Sequence, residues 1–107
     1  MPKLHKVIHH TLGQEEAIRR IKQRREEAKT EHADEIKEVG LKEEIEWQGN
    51  VCKIKASAMG FSGSGKIVVN DSTVEITFNL PWLAMPFRGR IEQLIIEETE
   101  KTLNQKS

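Results

Sequence analysis

With 107 residues, the chain has room for one domain spanning 1–107, near the lower limit of what folds unaided. Apolar residues are 36% and charged residues 32% of the total, which allows only a thin core. Seventeen Lys and Arg balance seventeen Asp and Glu, so the basic excess of a nucleic-acid or acidic-membrane binder is missing.

The single cysteine, Cys52, excludes an internal disulfide and fits a reducing compartment. No apolar run approaches the ~20 residues needed to span a bilayer. Met-Pro-Lys-Leu-His-Lys at the start lacks the apolar core and cleavage site of a secretion signal. A cytoplasmic protein is the expectation.

Leu4 to His10 reads as a short edge strand, with Leu4, Lys6, Ile8 and His10 facing one way and His5, Val7 and His9 the other. Thr11-Leu-Gly-Gln14 has the spacing of a capping box, with Thr11 as N-cap and Gln14 reaching back. A long helix follows as far as Val39, with Gly40 as its C-cap. Ala17, Ile18, Ile21, Ala28, Ile36 and Val39 outline its buried stripe, while Arg25 and His32 fall at core-spaced positions. Such a helix is longer than the sheet it covers, which points to a homodimer in which a second copy covers Ile36 and Val39.

After Gly40 the period changes to two. Leu41, Glu43, Ile45 and Trp47 share one face of a strand, Gln48-Gly-Asn50 turns the chain, and Cys52, Ile54, Ala56 and Ala58 share a face of the next. Gly60 to Gly65 reads as a bend into a third strand, Lys66 to Val69. Val74, Ile76, Phe78 and Leu80 then alternate with polar residues until Pro81. Trp82, Leu83, Met85 and Phe87 form an apolar segment broken by prolines, directly before a last helix. Phe87, Ile91, Leu94, Ile95, Thr102 and Leu103 give that helix its buried face. The fold class is α+β: two layers in the order β-α-β-β-β-β-α, an antiparallel sheet with both helices on one face, the order of TBP-like and helix-grip topologies.

No motif supplies a catalytic set, a cofactor site or a metal site. Gly60-Phe-Ser-Gly-Ser-Gly-Lys66 matches a phosphate-binding loop for seven positions and fails at Ile67, where Ser or Thr should hold magnesium. His5, His9 and His10 lack a completing ligand at usable spacing. Cys52 falls on an apolar face as a structural thiol. The cluster Arg19, Arg20, Lys22, Arg24 and Arg25 is interleaved with glutamates, as a solvated, ion-paired face would be. Gly89, between Arg88 and Arg90, weakens the last helix and suggests a close neighbour. The candidate contact or pocket residues are Trp47, Trp82, Leu83, Met85, Phe87, Arg88 and Arg90.

Several short blocks, in order, carry a family likeness: His5, His10-Thr-Leu-Gly13 with Ala17, Trp47-Gln-Gly49, Gly65-Lys-Ile-Val-Val69, Val74-Glu-Ile76, Leu83, and Phe87-Arg-Gly-Arg-Ile-Glu92. Together they resemble the polyhydroxyalkanoic acid system proteins, small bacterial proteins encoded near polyester-granule genes. The resemblance implies association with the polyester granule or a granule protein, and it brings no catalytic residues. The reading is therefore a small non-catalytic accessory or binding protein, without nucleic acid or a transmembrane segment. The alternatives are an enzyme of acyl or polyester metabolism with dispersed catalytic groups, and a nucleic-acid-binding module.

Overall fold

The computed structural model describes residues 3–31, 33–58, 60–79, 86 and 88–104. In chain order these form β1 (Lys3–His9), α1 (Gln14–Glu31), α2 (Ala33–Val39), β2 (Lys42–Gln48), β3 (Val51–Ala58), β4 (Phe61–Val69), β5 (Thr73–Asn79) and α3 (Arg88–Asn104). The strands make one antiparallel sheet in the order β1-β5-β4-β3-β2, a meander closed at one side by the first strand. The α+β class read from the sequence is the fold observed.

Register decides the two faces. Ile8 lies opposite Val74, Val74 opposite Val69, and Ile76 opposite Ile67, so these side chains share a face. That face meets Ala17 and Ile21 of α1 and Leu103 of α3, and together they form the core. Each fully buried aliphatic contributes roughly 1.5–3 kcal/mol. The other face carries Lys53, Lys55, Lys66, Ser64 and Thr77 in register, and none of the described helices packs on it.

Three elements differ from the sequence reading. Helix is described over Gln14–Glu31 and again over Ala33–Val39, with His32 outside the described residues. Its end is as read: the Gly40 N–H bonds Lys37 O and the Leu41 N–H bonds Ile36 O, with Gly40 at φ +65°. That is the paired C-terminal motif in which glycine takes the left-handed conformation at least cost. Its start is not. The Gly13 carbonyl accepts the first helical bond, from Ala17, and the Gln14 N–H is met by Asp71 Oδ1 at 3.2 Å from the β4–β5 turn. Gln14 Nε2 reaches Val69 O at 3.0 Å instead of returning to Thr11. A tertiary cap has replaced the local one.

The glycine-rich stretch is mostly strand. Gly63 pairs with Ala56 and Gly65 with Ile54. A Cβ on Gly65 would lie 2.3 Å from the Phe78 ring, so this residue must be small for the ring of its cross-strand partner to lie over the sheet. No helix follows Lys66, which continues along β4, so the backbone donors of a phosphate loop are absent here. On α3, Leu94 is 49% exposed and not part of the buried face. The inward stripe runs through Ile91, Ile95, Thr102 and Leu103, and Leu94 falls at its flank by helical rotation.

Two polar residues at inward positions, Lys6 and His10, are resolved by partners. Lys6 forms an ion pair with Glu92 on α3. His10 is buried: its Nε2 lies 3.0 Å from Asn70 O, and its Nδ1 accepts the Leu12 N–H at 3.2 Å. Those contacts require the neutral Nε2–H tautomer. With Gln14 and Asp71, His10 fastens the β1–α1 junction to the β4–β5 turn.

Candidate functional site

A pocket of about 370 Å³ opens between the sheet and the helices, within the ~300–1,000 Å³ of small-ligand sites. Ile67, Val74 and Ile76 come from β4 and β5, Ile21 and Ala28 from α1, Ile36 from α2, and Thr99 and Thr102 from α3. It exists because the inward positions past Ile21 on α1 are small or charged, so the helices leave the sheet partly uncovered. Thr99 and Thr102 donate their hydroxyls to Ile95 O at 2.7 Å and Glu98 O at 2.8 Å, which spends those protons within the helix.

Arg24, Arg25, Lys29, Glu43 and Glu98 complete the lining. Arg24 bridges three carboxylates: Glu31 at 3.1 Å, Glu98 at 3.4 Å and Glu27 at 3.8 Å. The hydrogen bond to Glu31 is the main cause of the upward shift in the Arg24 pKa, so this guanidinium stays charged. Arg25 pairs with Glu43 on β2, and its Nε is buried without a hydrogen-bond partner, so the pair holds against a desolvation cost. Lys29 pairs with Glu26 at 3.4 Å.

The sequence-derived candidates are not gathered here. Trp47 lies on the inner face of β2, half-buried against the core, with Lys22 Nζ 5.0 Å from its ring centroid as a cation–π contact. Arg88 and Arg90 are exposed in the first turn of α3, where positive charge opposes the helix dipole. Apart from its chain neighbours and the backbone of its own helix, no described residue comes within 4 Å of a Cβ built on Gly89, so the close neighbour expected there is not found among them. Trp82, Leu83, Met85 and Phe87 lie outside the described residues. Ile36, expected to need a second subunit, is half-buried in the pocket wall; the Val39 side chain lies outside what the structure describes.

The remaining chemistry-bearing residues fall into structural positions. Cys52 is fully buried, and desolvation pushes its thiol pKa up, away from the reactive thiolate. His5 bonds Thr77 Oγ1 at 2.9 Å on the open face, the opposite side of the sheet from buried His10. Exposed Arg19 and part-buried Arg20 share Glu16, and their hydrogen bonds, Arg19 first, hold its carboxyl down at about 2. Arg19 lies on the solvated face read from the sequence; Arg20, Arg24 and Arg25 are part-buried. Sequence reasoning missed Arg24 and Arg25 as pocket residues, although Arg25 on the helix and Glu43 on the strand both sat at inward positions with opposite charge.

Fold and pocket together define a class: a two-layer α+β domain with one polar sheet face and an apolar, charge-rimmed pocket beneath its helices. Residues 6–103 match the family model described as "Putative polyhydroxyalkanoic acid system protein", and the chain belongs to that family. No curated protein and no solved structure matches the chain. Among the described residues no helix is long and apolar enough to cross a membrane. Much of the family likeness has a structural explanation: His10 to Gly13 forms the junction with the β4–β5 turn, Gly65 admits Phe78, and Glu92 ties α3 to β1.

Proposed function

We propose that this is a non-catalytic accessory protein of the polyhydroxyalkanoic acid system that holds an aliphatic part of the polyester, a side chain or chain end, in the pocket under α1 and α3. The observation that carries this reading is the pocket's lining: six aliphatic side chains from two helices and two strands, in a protein of a polyester-linked family. The pocket's hydroxyls are committed to helix carbonyls and its cations to carboxylates, which favours holding over reacting. On this reading the apolar segment Trp82 to Phe87, next to α3 in sequence, adds contact with the polymer in the cytoplasm. Dimerisation through the first helix is not required by it.

Ala28→Phe places a ring in the pocket from the α1 wall. Co-sedimentation with dispersed polyhydroxyalkanoate is expected to capture the parent protein and to lose at least four-fifths of the Ala28→Phe protein, with its circular dichroism unchanged. Equal sedimentation of both, or of neither, would contradict the reading.

A further inference from the structure

The charges around the pocket say which end of an aliphatic molecule it can take. Its three cations, Arg24, Arg25 and Lys29, are met by five carboxylates: Glu26, Glu27, Glu31, Glu43 and Glu98. Each cation has at least one carboxylate within 4 Å, and Arg24 has three. An entering carboxylate would therefore find no described lining cation without a counter-ion, and at the open Arg25 Nε it would lie beside Glu43, a like charge. To take over an ion pair it would have to displace Glu43 from Arg25, Glu98 from Arg24 or Glu26 from Lys29, and the displaced carboxylate would stay close by as a like charge. A neutral carbonyl or ester carries no such penalty, and the apolar walls take its chain equally well.

Resting on the proposed aliphatic binding, we infer that the pocket selects neutral acyl chains, esterified or within a polymer, and rejects the corresponding free acids. The Arg25–Glu43 pair is the specificity element, because it lies across the lining from α1 to β2 and no second carboxylate among the described side chains pairs with Arg25 within 4 Å. Any apolar cavity favours an ester over an ion to some extent, so the discriminating prediction concerns this pair. Removing the Glu43 charge frees a guanidinium at the wall and should admit the acid.

The test is calorimetric titration of the full chain at pH 7 with methyl octanoate and with octanoate. The ester is expected to bind the parent protein at least tenfold more tightly. Glu43→Gln should tighten octanoate at least tenfold while changing the ester by less than about twofold. Glu98→Gln, which leaves Arg24 with Glu27 and Glu31, should shift octanoate by less than Glu43→Gln does, and it serves as a second variant should Glu43→Gln fold poorly. Octanoate binding the parent as tightly as the ester would overturn the inference and leave aliphatic binding standing. An ester preference that both variants leave unchanged would also overturn it, since the charges would then not be the cause. Binding of neither ligand would remove the aliphatic reading and this inference with it.

Discussion

Leu103→Ala is expected to destabilise the protein by about 2–5 kcal/mol, the range for a large aliphatic truncated in a packed core. Leu103 is 1% exposed and closes the core where α3 meets Ala17, Ile21 and the sheet. Its carbonyl also accepts a hydrogen bond from Arg20 Nη1 at 3.2 Å, so the end of α3 is fixed by both packing and a charged donor. Domains of this size have roughly 5–15 kcal/mol in total, so the variant should be marginal or unfolded. Leu94→Ala on the same helix removes the same atoms from a half-exposed site and should fall within ~0.5 kcal/mol of the parent. Urea denaturation of both checks this; similar losses at the two positions would mean α3 is not seated as described.

His10→Ala should cost about 2–4 kcal/mol for a different reason. Truncation strands the Leu12 N–H and Asn70 C=O in a partly buried site, each at about 1–3 kcal/mol. It also loosens the junction that places Gln14 against Asp71 and Val69. His5→Ala, which loses one exposed bond to Thr77, should stay within ~0.5 kcal/mol. The contrast between mid-strand His5 and His10 just past the strand's end is the measurement; a loss below ~1 kcal/mol at His10 would mean the junction bears little of the fold's stability.

The strands were the most legible part of the sequence, because their alternation is local. Val74 and Ile76 had to share a face whatever the rest of the chain did, and β2, β3 and β5 followed the same rule. What could not be read depended on partners distant in sequence. Gln14 looked like half of a local cap, yet Asp71 lies 57 residues away and wins the Gln14 N–H. Gly63 and Gly65 looked like a bend because glycine is poor in isolated strands; pairing with β3 and the Phe78 ring override that preference.

The pocket was half legible. Its walls were recognisable as inward positions, and its charged lining appeared as defects in two apolar stripes, Arg25 and Glu43, that made sense only when paired. The family likeness turned attention to the apolar residues before α3, which lie outside the described residues, and to Arg88 and Arg90, which are exposed away from the pocket lining.

On the proposed function, an aliphatic chain sits between the sheet and the helices. Titrating ¹⁵N-labelled protein with methyl octanoate and mapping amide shifts tests it most directly. Saturable shifts are expected at Ala28, Ile36, Ile67, Ile76, Thr99 and Thr102, with Lys53, Lys55 and Lys66 on the open face unmoved. Saturable shifts confined to that open face, or none at all, would contradict it.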